Sequence, residues 1–255
     1  MAYYDLRGQR AWTTPGLNRD DRLETYPTWT PDGQWLYFCS APFPWRNRHR
    51  IPPENYRQCR YDLCRISYDV ETKRWGEPEV VLPAAELGKS LLLPRISPDG
   101  RFLLFCACDY GCFPIYQPSS DLYLLDLRTG RWRRLDVLNS PRSESWHCWS
   151  SNGRWVAFSS KRQDGLFTRT YLSYVDASGK THQPFVVPQK DPASYDSCLK
   201  TYTVPELILE PVPVRPQRLA QTIIDPTQTQ VDSPISFEPK AQASAPEAAW
   251  QTGRR

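Results

Sequence analysis

The chain has 255 residues, of which 40% are hydrophobic, so it is long enough to bury one large core. Its 32 Lys and Arg residues against 28 Asp and Glu residues give a net charge of +4, which is too small and too mixed to indicate a nucleic-acid-binding protein. The 14 tyrosines and 10 tryptophans, together with a single methionine, favour strands over helices.

The first residues, "YYDLRGQRAW" (3–12), resemble "LLDLRTGRW" (124–132) and predict two short strands joined by a polar turn. We therefore expect the chain to begin inside a repeat whose first two strands are absent. The start has no basic residues followed by an apolar stretch and a small-residue cleavage site, so no signal peptide is visible. No segment reaches the roughly 18 apolar residues of a membrane-spanning helix.

A β-hairpin is predicted at "YPTWTPDGQWLYFCS" (26–40). Pro31 presets φ for a turn, Asp32 can bond its own backbone, and Gly33 supplies a positive φ. The flanking residues alternate as strand residues do.

This hairpin recurs as "LPRISPDGRFLLFCA" (93–107) and "WHCWSSNGRWVAFSS" (146–160), aligned on the turn glycine. A second strand–turn–strand motif follows each copy, so the repeat has four strands, here called a, b, c and d. Four-stranded repeats of this kind are propeller blades. We predict an all-β fold, a β-propeller with three full blades plus the end of a fourth, within a ring of roughly six to eight blades.

The predicted propeller covers residues 1–207, with blades at about 24–88, 89–141 and 142–195. An open arc would leave the apolar faces of its end blades bare, which is unfavourable. Three solutions remain open: further blades precede Met1, a second chain completes the propeller, or the tail contributes strands.

Residues 208–255 are rich in proline, glutamine, threonine and alanine. Their prolines disfavour long helices and central strands, so a disordered C-terminal tail is predicted here. The segment 197–208 can still dock on the last blade.

The Pro-Asp-Gly turns, together with Phe158, Ser160, Lys161-Arg162 and Asp164-Gly165, resemble the TolB-type β-propeller repeat over roughly residues 1–190. This resemblance implies an exported, periplasmic or cell-envelope protein of the kind described as TolB-like translocation proteins. The same repeat also serves as scaffold in prolyl-oligopeptidase-like peptidases and in some lyases. The third copy departs from the pattern, because Ser151-Asn152-Gly153 replaces Pro-Asp-Gly.

No catalytic residue is assigned. The sequence has no G-x-S-x-G nucleophile motif, and its three histidines are His49, His147 and His182. No cofactor and no metal site is predicted. The alternative is that the chain is the propeller part of a larger hydrolase or lyase whose catalytic part is absent.

Eight cysteines in a loop-rich β protein favour disulfides and an oxidising compartment. The candidates for disulfides that pin long loops are Cys59, Cys64, Cys108 and Cys112. Free buried thiols and a metal site are the alternatives, although the spacing from Cys106 to Cys112 is not that of a usual zinc site.

The b–c loops and the d–a connections of a propeller lie on the same face. Aromatic and arginine residues concentrate in these segments, and such residue types are enriched at binding hot spots. The predicted binding residues are Trp45, Arg46, Arg48, Arg50, Tyr56, Tyr110, Tyr116, Arg142, Glu144 and His147. The opposing interpretation is that the loops cap the blades and their arginines are solvated or paired.

Together these observations predict a non-catalytic binding or scaffold module of the bacterial cell envelope. Its partner is expected to be a protein or an anionic ligand that binds the loop face.

Overall fold

The computed structural model describes residues 1–6, 8, 10–43 and 55–225. A two-stranded antiparallel hairpin comes first, formed by β1 (Tyr3–Asp5) and β2 (Arg10–Trp12). It meets the first blade through the rings of Tyr3 and Trp75, whose centroids are 5.2 Å apart. A strand–turn–strand unit thus stands where the sequence predicts one.

Three larger antiparallel sheets follow, in chain order and with sequential strands as neighbours. The first blade contains β3 (Arg22–Trp29), β4 (Trp35–Pro42), β5 (Asp62–Asp69), β6 (Arg74–Trp75) and β7 (Glu79–Leu82). Its outer edge is divided, because β6 and β7 pair with different parts of β5. A short helix, α1 (Ala84–Leu87), leads to the next sheet.

The second blade contains β8 (Ser90–Ile96), β9 (Phe102–Cys108), β10 (Asp121–Asp126) and β11 (Arg131–Arg134). The third contains β12 (Glu144–Trp149), β13 (Trp155–Ser160), β14 (Arg169–Tyr174) and β15 (Phe185–Val186). Meandering antiparallel sheets of this kind are the blades of a β-propeller, so the predicted fold class is confirmed.

Apolar layers separate the sheets. Between the first and second blades lie Tyr37, Leu63, Leu91, Phe105 and Leu125. Between the second and third blades lie Leu104, Cys106, Leu122, Phe158 and Tyr171. Each such buried side chain contributes about 1.5–3 kcal/mol relative to its exposed state, so face-to-face packing is the main support of the fold.

The three a–b turns share a hydrogen-bond pattern beyond the glycine. In the second blade, Ser97 Oγ donates to Asp99 Oδ1 at 2.5 Å and accepts from Phe102 N at 2.9 Å. Thr30 and Ser150 make the corresponding bonds to the third and sixth residues of their turns. Asn152 therefore fits the third turn, because it occupies the position of Asp99.

Each inner strand also carries a β-bulge at the same repeat position. The ladder shifts register around Tyr26 in β3, Leu93 in β8 and Trp146 in β12. These three residues have φ values of 54°, 56° and 43°. The sequence pattern gave no sign of the bulges, because none of the three positions is a glycine.

Residues 195–209, here called the C-terminal strap, lie against the third blade. Tyr202 N donates to Thr168 O at 3.1 Å, and Leu207 N lies 3.3 Å from the sulfur of Cys148. Arg169, which is 1% exposed, donates to Lys200 O at 2.6 Å and to Cys198 O at 2.7 Å. These contacts agree with the expectation that the segment 197–208 docks on the last blade.

Beyond the strap the structure has a nine-residue helix, α2 (Pro216–Ile224), inside the segment predicted to be disordered. Proline is tolerated in the first helical turn, where its missing N–H would have no partner. No further proline follows until Pro226, so a short helix fits between them. None of its residues is buried. Residues 226–255 lie outside the described part of the chain.

No helix among the described residues is both long enough and apolar enough to cross a membrane.

Candidate loop-face binding site

One end of the three sheets brings together the b–c loops and the d–a connections. It is called the loop face here and contains residues 55–61, 109–120, 139–143 and 161–168. The strand directions explain the grouping: β4, β9 and β13 end here, and β8 and β12 begin here.

Two tyrosines from neighbouring blades meet on the loop face. Tyr56 and Tyr110 pack edge to face, with ring centroids 5.7 Å apart. Arg57 donates to the hydroxyl of Tyr56 at 3.1 Å, and its guanidinium lies 5.7 Å from the same ring. That hydrogen bond raises the pKa of Arg57, which stays cationic.

A second aromatic pair is far more exposed. Phe113 is 61% exposed and Tyr116 is 76% exposed, and their ring centroids are 6.5 Å apart. The ammonium of Lys161, from the third blade, lies 5.4 Å from the Tyr116 ring. An exposed ring under a cation can stack on a ligand while the cation attracts its negative charge.

The charges of this face are mostly positive. Arg57, Arg60 and Arg142 are exposed on it. Lys89 is neutralised by Asp109 in an exposed ion pair of 3.1 Å. The face therefore combines aromatic surface with exposed cations.

The structure places the predicted site residues in three groups. Tyr56, Tyr110, Tyr116 and Arg142 belong to the loop face. Trp45, Arg46, Arg48 and Arg50 lie outside the described residues. Glu144 and His147 are buried, at 0% and 3% exposure, so their prediction as ligand contacts is corrected here.

Glu144 instead organises the connection that leads into the third blade. Its carboxylate accepts bonds from Ser140 N at 3.0 Å, Ser140 Oγ at 2.7 Å and Ser160 Oγ at 2.8 Å. Arg162 Nη2 lies 3.3 Å from the same group. Burial raises the pKa of Glu144, while these donors oppose the rise. The carboxylate thus fixes the connection at residues 139–143, which is part of the loop face, to the end of β13.

His147 joins two blades. Its Nε2 is 3.0 Å from Leu104 O, and its Nδ1 is 3.5 Å from the sulfur of Cys106. Burial lowers its pKa to about 4. The imidazole is therefore neutral at neutral pH and acts as a structural bridge.

The structure contains none of the predicted disulfides. All eight cysteines lie among the described residues and carry free thiols. Cys64 packs with Leu36 and Ile66 on the face of the first blade that points away from the second, whereas Cys59 belongs to the cluster shared with the second and third blades. The closeness of these two cysteines in sequence therefore does not bring their thiols together. Among the described residues, no group of three or more His, Cys, Asp or Glu side chains could hold a metal ion.

A cavity of about 720 Å³ lies at the opposite end of the first blade, outside the loop face. The a–b and c–d turns form it, and its lining includes Asp32, Gln34, Trp35, Glu71 and Arg74. No sequence pattern indicates this cavity, because its turn residues also have an evident structural role.

No family model matches the sequence, and no curated protein does. Among solved structures, the chain is similar to TolB from Acinetobacter baumannii, with 19% identity, a TM-score of 0.46, and coverage of 71% of this chain and 36% of that one. It is also similar to an oligogalacturonate lyase in complex with manganese, with 15% identity, a TM-score of 0.48, and coverage of 74% and 48%.

A third similar structure is the β-propeller domain of the Trilobed protease from Pyrococcus furiosus, with 14% identity, a TM-score of 0.39, and coverage of 68% and 45%. The chain spans less than half the length of each of these three proteins. The propeller fold itself rests on the meandering four-stranded sheets of this chain.

Proposed function

We propose that this chain is a non-catalytic binding module whose loop face engages an anionic, aromatic-containing surface of a protein partner. The observation that carries the proposal is the exposed Phe113–Tyr116 pair with Lys161 above it. Large exposed aromatic side chains cost free energy in water, and they gain most when a partner covers them. The nearby cations favour a partner of negative charge.

The second blade's loop contributes to both aromatic groups. It presents Tyr110 to Tyr56 on one side and Tyr116 to Lys161 on the other. A partner that lies across this loop therefore contacts residues of all three blades. Such a broad surface suits a protein better than a small molecule, which prefers a concave pocket.

A cell-envelope location belongs to the same proposal and is supported by the resemblance of the repeats to TolB-type propellers. The proposal assigns no chemical step to the chain. The solved structures similar to it include both TolB and propellers of enzymes.

A random copolymer of glutamate and tyrosine is a suitable probe, because it carries both features of the proposed partner. Its affinity is measured by fluorescence anisotropy at low and high salt. We expect Tyr116→Ala and Lys161→Ala each to weaken binding by roughly tenfold, the loss typical of a hot-spot residue. Lys161→Ala should also reduce the salt dependence, because it removes a charge contact.

The matched control is Arg128→Ala, which removes an exposed cation from a c–d turn at the opposite end. Equal affinity of wild type, Tyr116→Ala and Lys161→Ala would contradict the loop face as the site. Weaker binding by Arg74→Ala alone would move the site to the cavity at the opposite end. The triple change of Arg46, Arg48 and Arg50 to Ala tests the sequence-based part of the prediction and should lower both affinity and salt dependence.

A further inference from the structure

Cys59 and Cys112 belong to different blades, but both pack against one apolar cluster at the loop face. Gly111 N donates to Cys59 O at 2.8 Å, which joins the two b–c loops through their backbones. Cys112, which follows Gly111, is thereby held close to the segment that contains Cys59. This contact is independent of the aromatic pairs described above.

Side chains fix this contact on both sides. Ser90 Oγ donates to Gly111 O at 2.7 Å and accepts from Tyr61 N at 3.1 Å. Tyr26 Oη donates to Cys112 O at 2.6 Å. These bonds anchor both loops, so the backbones of Cys59 and Cys112 are held near each other.

The two thiols share one environment. Cys59 is 8% exposed and packs in the apolar cluster between the blades, and Cys112 is half-buried against the same cluster. Tyr61 is buried in the same cluster. Burial raises the pKa of Cys59 to about 11, and it also raises that of Cys112, while Tyr61 opposes both effects. Thiols of this kind oxidise slowly at neutral pH.

We propose that Cys59 and Cys112 are a redox pair that a peroxide oxidises to a disulfide joining the b–c loops of the first and second blades. One thiolate attacks a peroxide oxygen and becomes a sulfenic acid, while the other oxygen leaves as water. The second thiol then attacks that sulfur, the S–S bond forms, and a second water leaves. The two sulfurs lose two electrons in total, and the peroxide gains them.

The other cysteines near this pair fit such a bond less well. Cys64 lies on a different face of the first blade. Cys108 is fully buried, and its thiol points to Tyr110 O at 3.4 Å. The half-buried Cys112 is more accessible to an oxidant than either of these.

The disulfide would fix the distance between the loops that carry Tyr56 and Tyr110. Its consequence for partner binding rests on the proposed function, whereas the bond itself does not. An oxidised loop face would present this tyrosine pair in one geometry, so the redox state would tune affinity.

The test treats the full chain with hydrogen peroxide and then alkylates the remaining thiols before intact-mass analysis and peptide mapping. We expect a species that has lost two hydrogen atoms and has six alkylated thiols, with a cross-link between the peptides that contain Cys59 and Cys112. Both Cys59→Ser and Cys112→Ser should abolish this species, and Cys64→Ser should keep it. Circular dichroism establishes that each variant folds.

A cross-link between any other pair, or oxygen addition with no cross-link, would overturn the proposal. If a serine variant does not fold, the peptide map of the wild type decides the matter alone. The oxidised and reduced proteins are then compared for binding to the glutamate–tyrosine copolymer. If the cross-link forms but binding is unchanged, the redox pair is supported and its effect on partner binding is contradicted.

Discussion

Arg162 Nη2 lies 3.3 Å from Oε1 of the fully buried Glu144. The same guanidinium stacks over the ring of Tyr171 at 4.4 Å. A buried carboxylate that accepts several hydrogen bonds in this way is costly to remove. Its truncation leaves the charge of Arg162 and the serine donors without this partner. The connection at residues 139–143 therefore depends strongly on Glu144.

We expect Glu144→Ala to lower the free energy of unfolding by about 3–5 kcal/mol. Glu144→Gln should cost less, because an amide still accepts hydrogen bonds from the two serines. Urea denaturation measures both values. The control is Asp109→Asn, which removes an exposed ion pair with Lys89 and should cost no more than about 1 kcal/mol. Similar losses for Glu144→Ala and Asp109→Asn would contradict this reading of the site.

His147 should make the stability depend on pH. Its pKa is about 4 in the folded chain, because burial and then the nearby positive charge of Arg95 outweigh the bonds to backbone carbonyls. In the unfolded chain it is about 6.5, so the unfolded state binds more protons between these values. Stability is full above pH of about 6.5 and falls as the pH drops towards 4, by about 3 kcal/mol.

The check is a series of urea denaturations between pH 7.5 and pH 4 (roughly the window set by those pKa values). His147→Gln removes the titrating group, so its stability should depend less on pH in this window. A slope equal to that of the wild type would show that other groups cause the pH dependence.

The turn pattern of the second blade predicts which substitutions are tolerated. Ser97→Ala should cost about 1–2 kcal/mol, because the buried amide of Phe102 loses its acceptor. Ser97→Thr and Asp99→Asn should cost little, because Thr30 and Asn152 serve in the other two turns. Thermal unfolding of the three variants measures the difference. A destabilising Asp99→Asn would show that the turns are not equivalent.

The C-terminal strap should detach when Arg169 is replaced. Arg169→Met keeps much of the apolar packing but removes the donors to Cys198 O and Lys200 O. We expect faster trypsin cleavage after Lys200, because a protease needs a locally released chain. Arg95→Met is the control, because it removes an exposed ion pair with Glu206 and should leave the cleavage rate nearly unchanged. Equal cleavage rates for Arg169→Met and Arg95→Met would show that Arg169 does not anchor the strap.

Much of the fold could be predicted because the repeats are local signals. Turn residues and alternating strands place each a–b hairpin, as the turn at Gly33 (φ 70°) illustrates. The agreement of three copies in register then favours a propeller. The division of the outer edge into β6 and β7 could not be predicted, because both strands follow β5 closely and the residue pattern does not show which part of β5 each one pairs with.

The candidate site was harder to predict. Tyr56, Tyr110 and Tyr116 could be assigned to the loop face from the sequence, because they lie in the predicted b–c loops; their role in binding stays a prediction. Glu144 and His147 were wrongly predicted to contact a ligand, because the sequence does not show whether a polar side chain at the start of a strand is buried. Residue type could be read from the sequence, but burial is set by the neighbouring blades.

The amino-acid sequence by itself determined the blade repeat, the turn chemistry and the segments that form the loop face, because each depends on residues close together in the chain. The tertiary structure alone decided which side chains are buried, which loops meet across the blades and how the strap contacts the third blade. Those features depend on contacts between blades, such as the bond from Gly111 N to Cys59 O. Contacts across such separations leave no periodic pattern in a single sequence.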